Sequence, residues 1–264
     1  MRFRIDMSYD GAGFCGWQIQ PEDPSVQETL EKALGTLLRA HIQVTGAGRT
    51  DTGVSASFYV AHFDSDGPVD CDQLRYKLNA ILPKSVSISA ISPVSPDFHA
   101  RFGATRRQYT YYLHRCKDPF CERYSFLFAY PEFDVDAMNR AAAMLLGTHD
   151  FSCFEKSGGD NKTSICTVFS ARWEPYLPDI CAAPRDAGTP SYWRFVIEAD
   201  RFLRNMVRAT VGTLLEVGRG RRSEADFASL ILPADAQPAE ASRRSDAGES
   251  VPGHALFLSD IRYD

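Results

Sequence analysis

Gly46-Ala47-Gly48-Arg49-Thr50-Asp51-Thr52-Gly53-Val54 is bounded by Ile42-Gln43-Val44 on one side and Phe58-Tyr59-Val60-Ala61-His62-Phe63 on the other. β-branched and aromatic runs of this kind read as strands, and the glycines between them mark a tight loop. Strand, glycine-rich loop, strand is therefore the expected local fold. Glycine lets backbone adopt positive φ or approach a ligand closely, and loops held by rigid strands often carry chemistry. Asp51 is the one carboxylate in this loop. Arg49, two residues away, can hold it ionised and aim it. An ordinary turn with a capping aspartate is the plain alternative, and the loop alone does not choose.

Outward from the loop, residues 1–10 alternate in character and read as a strand. Ser25-Val26-Gln27-Glu28 is a capping-box pattern. It opens a helix whose apolar stripe is Val26, Leu30, Ala33, Leu34, Leu37 and Leu38. A helix over 71–82 stopped by Pro83, a strand over 86–93 and a tyrosine-rich strand over 107–113 follow. Asp134 to Leu146 reads as a helix with Asp134 as N-cap and Gly147 beyond its end. Strands are expected at 167–173 and 192–199, then a long helix over 201–217 closed by Gly218. The second half loosely repeats the first, with weak self-similarity. Segments 178–190 and 234–253, rich in Pro, Ala, Ser, Asp and other charges, read as surface inserts.

The 264 residues are 44% apolar and 24% charged, an ordinary globular balance. No apolar run is long enough for a transmembrane helix, and the N-terminus has no secretory h-region. Seven cysteines without a Cys-x-x-Cys pair fit a reducing cytoplasm better than a disulfide framework or zinc site. Net charge is −5, but its distribution matters more than its sum. Six arginines (201, 204, 208, 219, 221, 222) lie between 201 and 222 against one acid, Glu216. A second basic stretch, Arg101, Arg106, Arg107, Arg115 and Lys117, is interleaved with Phe102, Tyr109, Tyr111 and Tyr112. Cations among stacking rings suit single-stranded or flipped bases; a solvated basic face is the plain alternative.

Placed on the expected helix, Arg201, Arg204 and Arg208 would share a face, and an arginine at its margin could reach a site carboxylate. In the loop Asp10-Gly11-Ala12-Gly13-Phe14-Cys15-Gly16-Trp17-Gln18, Trp17 reads as a core anchor and Asp10 as a turn residue. His149 and Asp150 read as structural, because no nucleophile signature accompanies them. No phosphate loop, dinucleotide fingerprint or His-Glu-x-x-His occurs.

Taken together, Tyr9-Asp10-Gly11, Phe14-Cys15-Gly16-Trp17-Gln18, Ser25-Val26-Gln27, Gly48–Val54, Leu78-Asn79, Phe98-His99-Ala100-Arg101-Phe102, Tyr109, Gly147–Phe151, Phe202–Arg208 and Val217-Gly218 resemble the tRNA pseudouridine synthase A family nearly end to end. The resemblance implies an α/β (α+β) fold of two similar halves, 1–104 and 105–264. Each would hold a mainly antiparallel sheet flanked by helices, and the sheets would join into one concave RNA-binding surface. It implies a cytoplasmic homodimer that grips tRNA and isomerises uridine at nucleotides 38, 39 and 40 of the anticodon stem-loop, with no metal or cofactor. Carried over residue by residue, the catalytic aspartate falls on Asp51, the substrate-contacting tyrosine on Tyr109 and the arginine paired with the aspartate on Arg208. Arg49 is a candidate for the flipped nucleotide's phosphate. Arg101, Arg106, Arg107 and Arg204 are further RNA-contact candidates. The chain departs from the pattern at Arg106-Arg107-Gln108, before the tyrosine, and in the length of the 234–253 insert.

The implied reaction breaks the ribose C1′–N1 bond, turns the uracil and joins C1′ to C5. A carboxylate suits either attack at C1′ or abstraction of a ribose proton to give a glycal; the sequence leaves both open. Gly46, Gly48 and Gly53 would leave room for the sugar. A non-catalytic RNA-binding protein and a pseudouridine synthase for another RNA are the alternative readings. An aspartyl phosphotransferase is disfavoured, since the second position after Asp51 is Gly53 and not a second Asp.

Overall fold

The computed structural model describes residues 1–156, 158, 162–182, 190–235 and 244–263. They form two units: 1–107 with 257–264, and 108–256. In chain order the first unit holds β1 (Arg2–Tyr9), α1 (Val26–Leu38), β2 (Val44–Gly46), β3 (Ser55–Asp64), α2 (Cys71–Ile81) and β4 (Val86–Val94). β5 (Ala104–His114) leads into the second unit, which adds β6 (Phe126–Leu127), α3 (Val135–Ala143), β7 (Gly147–Asp150), β8 (Ile165–Pro175), β9 (Tyr192–Ala199), α4 (Met206–Gly218), α5 (Glu224–Ala228) and β10 (Leu232–Pro233). β11 (Leu256–Tyr263) returns the chain to the first unit. The fold is α+β with mainly antiparallel strand pairing.

In the first unit, β1 pairs antiparallel with both β3 and β4. Strict alternation buries Phe3, Ile5, Met7 and Tyr9 on one face of β1. Fully burying side chains of this size contributes about 1.5–3 kcal/mol each. β2 pairs antiparallel with one end of β3, and β11 runs parallel to its other end through Phe257 and Leu258. α1 starts where Ser25 Oγ accepts from the Glu28 amide and buries Val26, Leu30, Ala33 and Leu34. The Glu28 carboxylate pairs with Lys32 at 2.6 Å. α2 is capped by Asp70 and ends before Pro83.

The second unit has strand order β10-β7-β8-β9-β5, with β6 on β5. α4 is buried nearly all round, the signature of a core helix. One cover is residues 248–252: Gly248 N donates to Thr213 Oγ1 at 3.0 Å, and the Val251 amide donates to the Arg208 carbonyl at 3.2 Å. A Cβ on Gly212 would lie 1.8 Å from the Glu249 carbonyl oxygen, so only glycine admits this strap.

Several sequence expectations change here. The helix expected over 201–217 begins only at Met206, because Asn205 sits at φ 64°, left-handed and incompatible with a continuing right-handed helix. Arg201 and Arg204 therefore lie outside the helix and do not share a face with Arg208. The helix expected over 134–146 stops at Ala143. The insert 234–253 is not wholly a surface loop: Ala247 and Val251 are buried against the core. The middle of that insert, 236–243, and the stretch 183–189 of the insert read over 178–190 lie outside the described residues. Among the described residues no helix is long and apolar enough to cross a membrane.

Candidate active site

The glycine-rich loop is clamped from four directions within the first unit. From β3, the Tyr59 hydroxyl donates to the Gly48 carbonyl at 2.5 Å. From β1, the Tyr9 hydroxyl lies 2.8 Å from Thr50 Oγ1. From the 10–18 loop, the Trp17 amide donates to the Thr50 carbonyl at 3.3 Å, and the Phe14 carbonyl accepts from Gly53 N at 3.3 Å. From β5, Arg107 Nη2 donates to the Ala47 carbonyl at 3.1 Å and to the Arg101 carbonyl at 2.6 Å. Trp17 and Tyr59 stack at 4.2 Å behind the loop, confirming Trp17 as a core anchor.

Glycines make the close approach possible, Gly16 and Gly46 among them. Gly16 holds φ +92°, and a Cβ there would lie 2.3 Å from the Thr50 carbonyl oxygen. A Cβ on Gly46 would lie 2.2 Å from the Tyr59 hydroxyl and 2.5 Å from the Trp17 ring. Gly46 is thus required by packing and leaves no room for a sugar. Gly53 serves its backbone, at φ +76°, in the turn where the Val54 amide donates to the Asp51 carbonyl at 3.1 Å. Gly48 opens outward: the nearest atom a Cβ there would meet is Arg107 Nε, at 4.0 Å.

At the tip of this framework Asp51 is half-buried and Arg49 exposed. Asp118 of the second unit is the opposite kind of carboxylate: fully buried, it accepts from the Tyr192 hydroxyl at 2.6 Å and from the Ala182 and Phe120 amides at 2.9 Å each. Burial pushes its pKa up, but these donors outweigh burial and bring it down to about 2. Its oxygens are committed to holding two loops, so its role is structural. His149 and Asp150 also hold structure: His149 Nε2 lies 2.9 Å from the Leu146 carbonyl, and Asp150 accepts from the Ser152 amide.

In the second unit Tyr109 is buried with its ring edge-to-face against Phe202 at 5.0 Å. Arg208, in the first turn of α4, donates from Nε to the Val251 carbonyl at 2.7 Å. Burial raises the pKa of the neighbouring Tyr111 phenol far above its ordinary range, and the Arg208 charge offsets only part of that. Arg204 is exposed, and its carbonyl accepts from Lys156 N. Arg101 is exposed and Arg106 half-buried. The Arg107 guanidinium spans backbone carbonyls of Ala47, Arg101 and Ala104. Sequence reasoning did not foresee this contact with backbone, because the neighbours of a strand residue are set by the fold.

A family model described as tRNA pseudouridine synthase matches residues 7–103 and 141–264. The first segment contains Asp51 and the second Arg208; Tyr109 lies between them. Full-length relatives carry the name tRNA pseudouridine synthase A. The protein of Bacteroides fragilis is 47% identical over 99% of this chain and 96% of its own length. That of Bacteroides thetaiotaomicron is 45% identical over 99% and 90%. That of Bacillus licheniformis is 37% identical over the whole of both.

Proposed function

The chain belongs to the tRNA pseudouridine synthase family and isomerises uridine to pseudouridine in tRNA, and we propose that its targets are nucleotides 38, 39 and 40 of the anticodon stem-loop. In this reading Asp51 is the catalytic group, as nucleophile at C1′ or as base toward the ribose. Tyr109 stacks on the uracil, Arg49 meets the flipped nucleotide's phosphate, and Arg208 is the arginine partner of the aspartate. Arg101, Arg106, Arg107 and Arg204 contact RNA backbone, Arg107 while also holding the Ala47 carbonyl. The enzyme works as a cytoplasmic homodimer.

One observation carries the assignment of Asp51: the loop that bears it is clamped through Ala47, Gly48, Thr50 and Gly53 while Asp51 itself is only half-buried. A catalytic carboxylate must be held in position before substrate arrives; a capping aspartate needs no such frame. Atoms are conserved: N1 leaves C1′, the base turns, C5 bonds to C1′, and the C5 proton is lost while N1 gains one. Extruding the target base costs a few kcal/mol, which stacking and phosphate contacts offset. The test is to incubate the protein with whole-tRNA transcripts and map pseudouridine. Product confined to nucleotides 38–40 supports the reading. Product elsewhere in the tRNA overturns the site, and binding without product overturns the activity.

A further inference from the structure

Phe102 is 77% exposed, yet the turn that carries it is held by a set of hydrogen bonds. His99 organises the turn. Its Nδ1 accepts from the amides of Arg101 at 3.2 Å and Phe102 at 3.1 Å, and its carbonyl accepts from Gly103 at 2.8 Å. Below it, Ala100 is fully buried; its amide donates to His62 Nδ1 at 3.1 Å and its carbonyl accepts from the Tyr263 hydroxyl at 2.6 Å. Arg2 Nη1 donates to the Phe98 carbonyl at 2.9 Å. Burial, with the charge of Arg2, lowers the pKa of both His62 and His99, so at neutral pH both rings keep an unprotonated nitrogen to accept these bonds.

A single exposed phenylalanine on a mobile loop needs no explanation. Here the ring is presented. It leans on His99 with centroids 4.4 Å apart, and the Arg101 guanidinium lies 5.5 Å from its centroid. Its remaining surface faces water. The turn is also coupled to the Asp51 loop: one nitrogen, Arg107 Nη2, bonds both the Arg101 carbonyl and the Ala47 carbonyl. A rigid ring with a cation beside it, fixed in register with the catalytic loop, has the composition of a nucleobase platform.

We infer that Phe102 is a stacking platform for an unpaired base of the substrate RNA, with Arg101 on the adjoining phosphate. The inference rests on the function proposed above and adds a specificity-determining residue to it. Stacking holds RNA in a fixed register relative to Asp51, because the platform and the catalytic loop share Arg107. A contact between copies of the chain would use the same ring but would leave RNA affinity indifferent to it.

The experiment uses the full-length protein and a whole-tRNA transcript. Loss of one base-stacking ring typically costs on the order of 10-fold in affinity. Phe102→Ala should therefore raise Kd for tRNA by about that factor, with an unchanged melting temperature. Phe102→Trp should restore binding, and its added indole emission should be quenched by tRNA. Equal affinity of Phe102→Ala and wild type overturns the inference, as does a change in oligomeric mass without a change in RNA binding. The quench should persist when Phe102→Trp is combined with Asp51→Asn, which separates the two claims. If wild type makes no pseudouridine yet binding still needs the ring, the activity fails and the platform stands; if pseudouridine forms and Phe102→Ala binds tRNA as tightly as wild type, the reverse holds.

Discussion

The guanidinium of Arg107 donates to the carbonyl of Ala47 at 3.1 Å, which ties the strand β5 to the loop that carries Asp51. Arginine suits the position because its planar fork reaches several carbonyls at once. Arg107→Lys should keep the charge and lose the fork. Its single-turnover rate should fall at least about 10-fold with Kd for tRNA changed far less, and a bond from a charged donor is worth roughly 1.5–3 kcal/mol of stability. A loss confined to Kd would leave Arg107 as an RNA contact alone.

Gly16 is a second support of the same loop. Gly16→Ala forces a side chain into a φ of +92° and against the Thr50 carbonyl. The left-handed conformation alone costs about 1–2 kcal/mol, and the contact adds to it. Melting temperature should drop by several degrees, whereas Gly13→Ala, with nothing within 4 Å, should be near neutral. Equal melting of the two variants would show that the loop yields easily.

Asp51→Asn preserves the shape of the side chain and removes its charge. Pseudouridine formation should be abolished while tRNA binding stays within a few-fold. A variant that keeps turning over removes Asp51 from the chemistry.

Arg208→Ala should lower the chemical step by orders of magnitude more than it weakens tRNA binding. It also loses the bond to the Val251 carbonyl, so a fall in stability of about 1.5–3 kcal/mol is expected. A normal single-turnover rate with weakened binding would make Arg208 a phosphate contact.

Acid should loosen the first unit. Burial, with smaller contributions from the Arg2 and His99 charges, lowers the pKa of His62 from 6.5 to about 4; Asp64 opposes this. Between those values the unfolded chain binds the proton and the folded chain does not, so stability falls as pH drops from 6.5 toward 4. Below about 4 this group contributes no further slope. The ceiling from such a shift is roughly 3 kcal/mol. Urea midpoints taken across this range should show the slope, and His62→Asn should flatten it. An unchanged slope in that variant would shift the effect to other groups.

Much of the fold was legible because it is local. The alternation of Phe3, Ile5, Met7 and Tyr9, the caps at Ser25, Asp70 and Asp134, and Pro83 after α2 all act within a few residues. β11 was not anticipated: it closes the first unit by pairing in parallel with β3, some 200 residues earlier in the chain, and no local pattern encodes that partner. The start of α4 was misplaced because Arg201–Asn205 has helical periodicity, and only the left-handed Asn205 interrupts it. The strap at 248–252 read as an insert because its composition is polar; its amides donate to the Thr213 hydroxyl and the Arg208 carbonyl, which composition does not report.

By itself the sequence determined the strand–loop–strand around Asp51, the order of motifs and the family to which they belong, since residue types and spacing are properties of the chain. Tertiary structure decided which of those residues are free to act. Gly46 packs against Trp17 and Tyr59 while Gly48 opens outward. Arg107 turns in to hold backbone, while Arg101 and Phe102 stay exposed. These outcomes depend on which side of a strand or turn faces the core, and that is set by distant segments folding against it.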